Sequence, residues 1–98
     1  MKFSHHTSGK KIRVLIVDDS LIGRKLLSGI LAADPMFEVV AFAENGKLAY
    51  EKVLHYKPDV VSMDINMPVM DGIEATRHIM SHYPVPVVIV SSVYRDME

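Results

Sequence analysis

The sequence contains no cysteine, so no disulfide can staple it and no thiolate can bind a metal. That absence fits a reducing cytoplasm. No apolar run approaches the roughly 20 residues needed to span a bilayer, and the amino-terminal segment lacks the apolar centre of a secretory signal. The chain therefore reads as cytoplasmic, with no membrane association. Net charge is also scarce: the formal value is -1, which argues against an electrostatically driven nucleic-acid binder. What is present is apolar. Hydrophobic residues make up 49% of the 98 positions, enough for the core of one small domain and too many for disorder.

Residues 1–10 are polar and aperiodic and read as a frayed, disordered lead-in, in which His5 and His6 form a bland solvated pair. From residue 11 the pattern becomes regular. A first strand is expected over Ile12 to Val17. Ser20 is a plausible helix N-cap, followed by an apolar stripe of Ile22, Leu26, Leu27, Ile30 and Leu31 that Asp34-Pro35 ends. Phe37 to Ala43 reads as a second strand. Asn45-Gly46 opens a helix with Ala49, Val53 and Tyr56 on one face, stopped by Lys57-Pro58. Val60 to Met63 is a third strand, and residues 65–71 form a loop. A third helix follows Gly72 and carries Ile73, Thr76, Met80 and Tyr83 at helical spacing. Pro84 and Pro86 break it before a fourth apolar strand, Val87-Val88-Ile89-Val90, which ends in Ser91-Ser92. Strands alternating with helices predict an α/β fold with a parallel sheet and right-handed crossovers.

Three aspartates stand at the carboxyl ends of two of these strands: Asp18 and Asp19 after the first, Asp64 after the third. In an open α/β sheet, ligands bind at the carboxyl ends of the strands. If the two strands are neighbours, three carboxylates converge, and like charges that close need a cation or protonation to relieve them. Oxygen-only ligation suits Mg²⁺, which takes a few carboxylates together with water and phosphate. Asp71, just before Gly72 and a helix, reads as an N-cap rather than a ligand. Arg24 and Lys25 lie on the first helix beside the site, as a solvated face or as contacts for a partner.

Val14-Leu15-Ile16-Val17-Asp18-Asp19-Ser20, with Arg24, resembles the opening of response-regulator receiver domains. Pro58 to Gly72 is similar to their phosphoacceptor strand and loop, and Pro86 to Ser92 to their fourth strand with its switch hydroxyl. The Met-Pro-Val-Met-Asp-Gly loop and the last strand look most like the receiver of chemotaxis methylesterase response regulators. The resemblance implies a flavodoxin-like, three-layer parallel sheet of strand order 2-1-3-4. It makes Asp64 the phosphoacceptor and Ser91 the switch hydroxyl, with Ser92 the alternative occupant. It implies Mg²⁺ held by Asp19, Asp64 and the backbone carbonyl of Asn66, with Asp18 acting through a metal-bound water. The implied partner is a sensor histidine kinase of the chemotaxis type.

Against that family the chain is expected to be a truncated receiver over residues 11–98, with the fifth strand and the last two helices missing. The lysine at the end of the fifth strand goes with them, and Lys10 and Lys11 lie at the wrong end of strand one to replace it. Loss of that cation removes transition-state stabilisation on the order of several kcal/mol. The esterase domain of the methylesterase subfamily is absent too, so the chain is expected to be a receiver module and not itself an enzyme. An uncovered fourth strand points to a fragment, to a homodimer through that edge, or to both. Two rival functions fit the residues less well. A Mg²⁺-dependent aspartyl-phosphate phosphohydrolase would want an acid two residues beyond its nucleophile, where Asn66 follows Asp64 and Ser20 follows Asp18. A flavodoxin-like cofactor binder would want a phosphate loop after strand one, where two aspartates stand instead.

Overall fold

The computed structural model describes residues 10–90. The expectations placed on the amino-terminal lead-in with His5 and His6, and on Ser91 and Ser92, fall outside the described residues, Lys10 excepted. The elements run β1 (Ile12–Val17), α1 (Leu21–Ala32), β2 (Phe37–Ala43), α2 (Gly46–Tyr56), β3 (Val60–Asp64), α3 (Gly72–His82) and β4 (Val87–Val90). Among the described residues the sheet has four strands in the order β2-β1-β3-β4, and every pairing is parallel. The doubly wound order puts the chain reversal between β1 and β3, where a ligand crevice is expected.

Alternation along β1 separates the two faces of the sheet. Leu15 and Val17 point into a core closed by Ala49 and Val53 of α2, Ala75 and Ile79 of α3, Val61 and Met63 of β3, and Ala41 and Ala43 of β2. Val14 and Ile16, on the opposite face with α1, are also buried. The faces are unequally finished. No residue of α1 is buried: Leu27 and Leu31 are half-buried, while Ile22, Leu26 and Ile30 are 64–71% exposed. The apolar stripe expected on α1 is thus two stripes, only one of which meets the sheet.

The helix ends follow from local chemistry. Ser20 Oγ accepts from Gly23 N–H at 3.1 Å, Asn45 Oδ1 from Leu48 N–H at 2.9 Å, and Asp71 Oδ1 from Glu74 N–H at 2.8 Å. Each satisfies a backbone donor that a helix start leaves unpaired. Asp71 is therefore the N-cap of α3, as its position suggested. Lys57 closes α2 in the left-handed region, φ 49°, before Pro58 forbids continuation. The face of α3 differs from expectation. Ala75 and Ile79 are buried, whereas Ile73 and Met80 are 48% and 46% exposed. Ala75 and Ile79 are four residues apart and share the face that the crossover turns toward β3 and α2, so that face rather than the one through Ile73 and Met80 is covered. The β1–β2 ladder carries an irregularity between Val14 and Leu15, which admits Val40 as an extra residue. The sequence showed no sign of it.

Candidate functional site

Val17 of β1 pairs with Met63 of β3, so the residues that follow, Asp18 and Asp64, emerge side by side. Carboxylate oxygens of Asp18, Asp19 and Asp64 all lie within 4.8 Å of one another. Asp19 is exposed, Asp18 half-buried, and Asp64 buried at 5% exposure. Among the described residues Asp64 Oδ1 has no hydrogen-bond partner, which for a buried carboxylate is costly unless something else satisfies it. Its pKa is raised, first by desolvation and then by the charges of Asp18 and Asp19; the backbone N–H groups of Asn66 and Ile65 pull the other way.

The neighbourhood holds the cluster in place. Asp18 Oδ1 accepts from Ser20 N–H at 2.8 Å, and Asp18 N–H donates to the Ala43 carbonyl of β2 at 3.0 Å. Arg24, half-buried, donates from its guanidinium to the Asp18 backbone carbonyl at 2.8 Å. Arg24 is not simply a solvated face: the residue ties α1 to the end of β1. Gly23 passes so close that a Cβ there would overlap the Asp18 carboxylate. Neither role was legible in the sequence, because both depend on how α1 lies across the strand end.

The loop after β3 is fixed just as tightly. Gly72 N–H donates to the Ile65 carbonyl at 2.8 Å, and a Cβ on Gly72 would overlap the Asp64 carbonyl. Only glycine lets α3 start this close to the strand end. Within the loop, Met70 N–H donates to the Pro68 carbonyl at 2.8 Å across Val69, whose φ is 73°. This is a γ-turn of the rare, positive-φ hand, strained for a β-branched residue. Asn66 is exposed, two residues past Asp64.

The donor set is all oxygen, anionic and preorganised, with one buried atom left unpaired. These residues fit a small, hard divalent cation such as Mg²⁺, which relieves the repulsion and satisfies Asp64 Oδ1. A cation held there would supply charge neutralisation for a phosphoryl group brought to the strand ends.

Fold and site together define a doubly wound α/β module with a cluster of three carboxylates at its strand ends. Residues 14–98 match the response regulator receiver domain, and the chain belongs to that family. It is 57% identical over 82 residues to a protein-glutamate methylesterase/protein-glutamine glutaminase of Carboxydothermus hydrogenoformans, covering 84% of this chain and 23% of that protein. It is similar, at TM-score 0.83 and 48% identity, to the response regulator domain of Thermotoga maritima CheB, covering 85% of this chain and 62% of that one. The CheX-CheY-BeF3-Mg²⁺ complex of Borrelia burgdorferi gives TM-score 0.81 at 35% identity, over 90% of this chain and 67% of that one. The receiver is thus of the chemotaxis CheB kind, and the chain spans about a quarter of the length of the curated relatives it matches.

Proposed function

We propose that this chain is a phosphoacceptor module in which Asp64 takes a phosphoryl group from a chemotaxis-type histidine kinase in the cytoplasm. The observation that carries the reading is the buried, unpartnered Asp64 Oδ1 between Asp18 and Asp19. In the transfer, a carboxylate oxygen of Asp64 attacks phosphorus. A new P–O bond forms while the P–N bond of phosphohistidine, or the P–O bond of an acyl phosphate, breaks. The bonding pair leaves with the imidazole, which takes a proton, or with the departing carboxylate. Asp18, Asp19, Asp64 and the carbonyl of Asn66 would hold Mg²⁺, which supplies charge neutralisation for the incoming phosphoryl oxygens. The protein's own contribution is positional. Ser20 N–H holds the Asp18 carboxylate, Arg24 holds the Asp18 backbone carbonyl, and the Gly72 approach fixes the strand end from which Asp64 projects.

The regulated effector in this reading is a protein-glutamate methylesterase, and Ser91 carries the switch hydroxyl that reports phosphorylation. Residues 11–98 form the receiver part and residues 1–10 a lead-in. Self-association through β4 belongs to the same proposal, supported by the exposure of Val88, Ile89 and Val90.

The test is intact-mass measurement after incubation with acetyl phosphate and Mg²⁺. One labile addition of about 80 Da is expected, absent from Asp64→Asn and reduced at least tenfold in initial rate in Asp19→Asn. A folded protein that takes no phosphate, or an Asp64→Asn variant that still takes it, overturns the reading.

A further inference from the structure

At the far end of α3 from the aspartates, on the carboxyl-terminal part of this 11-residue helix, lies a second group of chemistry-bearing side chains. The helix length of roughly 16 Å separates the two ends. His78 and His82 are four residues apart and so project from one helix face, both exposed. Their ring centres are 4.8 Å apart. Tyr50, reaching over from α2, lies 4.3 Å from the His78 ring and 5.3 Å from that of His82.

One ring nitrogen is already committed. His82 Nδ1 lies 2.9 Å from the His78 backbone carbonyl and 3.0 Å from Ser81 Oγ. The Ser81 hydroxyl donates to that same carbonyl at 2.9 Å. A carbonyl can only accept, and the serine proton is spent on it, so Nδ1 must carry the hydrogen and donate. The neutral His82 ring then presents the Nε2 lone pair outward. This is the tautomer that metal-ligating histidines use, with the other nitrogen donating to a carbonyl. Among the described residues the His78 ring makes no hydrogen bond that would occupy it.

We propose that His78 and His82 form a surface chelate for a late first-row divalent ion (Zn²⁺, Cu²⁺ or Ni²⁺), separate from the aspartate cluster. A metal about 2.1 Å from each imidazole nitrogen sits roughly 3.2 Å from each ring centre. At ligand angles between right and tetrahedral, the centres are then about 4.5–5.2 Å apart. The observed 4.8 Å lies inside that window. Imidazole selects these ions over Mg²⁺, which takes oxygen. A helix carboxyl terminus favours a bound cation, and His82 lies in the last turn. The Tyr50 ring limits the rotamers of both histidines, so less ordering is lost on binding. Two nitrogens come from the protein and water fills the remaining positions.

The test is calorimetric titration of Ni²⁺ into the full chain carrying His5→Ala and His6→Ala, with Mg²⁺ present in excess to fill the aspartate site. One equivalent is expected to bind. Affinity is expected to fall at least tenfold in His78→Ala and in His82→Ala. His78→Phe and His82→Phe, which keep an aromatic ring against Tyr50 and remove the nitrogens, are expected to behave as the alanine variants do while retaining the wild-type circular dichroism. No Ni²⁺ binding, or binding that survives both phenylalanine changes, overturns the proposal. So does binding lost only on His55→Ala.

Discussion

A carboxylate that is buried, flanked by two others and left with an unpaired oxygen opposes folding whenever it is ionised. Among the described residues Asp64 is in that position. Its folded pKa is raised above the unfolded value, chiefly by desolvation and next by Asp18 and Asp19. Because the shift is upward, the group favours the native state below the unfolded value near ~4, and that contribution is lost as pH rises through the folded value. Once ionised, the carboxylate is therefore a local cost. Asp64→Asn is expected to raise the metal-free melting temperature at pH 7 by a few degrees, with the difference closing below about pH 4. Thermal melts in chelator across that range check it, and a destabilised variant at pH 7 contradicts it. Mg²⁺ is expected to stabilise the wild type and to leave Asp64→Asn nearly unchanged. Val69 is the second residue held against its preference, at φ 73° and 79% exposed. Val69→Gly relieves the strain and loses little burial, so it is expected to stabilise the fold by about 1 kcal/mol by urea denaturation. A loss of that size would mean the turn is not strained.

At the level of elements, α1 shows how little a periodic pattern says about which side of a helix is covered. Ile22, Leu26 and Ile30 make one ridge and Leu27 and Leu31 another, and only the second lies against the sheet. Leu27→Ala is expected to cost about 1.5 kcal/mol, part of the value for a fully buried leucine. Leu26→Ala, 64% exposed, is expected to fall within about 0.5 kcal/mol of wild type. Paired denaturation curves decide it, and equal losses would mean that α1 is covered on both sides. The strands and helices themselves were legible. β1, β2 and β4 begin and end where the apolar runs do, and the caps Ser20 and Asp71 were readable because side-chain acceptors at helix starts have a local signature. The α3 face and the irregularity opposite Val40 were not legible, because they are set by which neighbour approaches and how closely. Gly72 at the strand end and Gly23 beside Asp18 mark such approaches.

For the whole molecule, the parallel order β2-β1-β3-β4 brings Asp64 beside the adjacent pair Asp18 and Asp19, remote from it in the sequence, to make one site. The same order leaves β4 at one side of the sheet among the described residues, with Val88 and Val90 54% and 45% exposed. Edges of this kind pair with other edges unless blunted. Sedimentation velocity is expected to show concentration-dependent association of this chain. Val88→Lys with Val90→Lys is expected to abolish it without loss of helical signal. A monomer at every concentration would remove β4 as an interface.

The sequence by itself determined the strand and helix order, the α/β class and the identity of the three acids, because apolar periodicity, capping residues and strand-end aspartates are local signals. It also carried the motifs by which the chain resembles, and proves to belong to, the receiver family. Tertiary structure alone decided the rest: that Arg24 secures the Asp18 backbone, that Asp64 Oδ1 is buried without a partner, that Ala75 and Ile79 rather than Ile73 and Met80 face the core, and that Tyr50 meets His78 and His82. Each of these depends on distances between segments remote in the chain, and such distances are set by the packing of helices on the sheet, which no local pattern encodes.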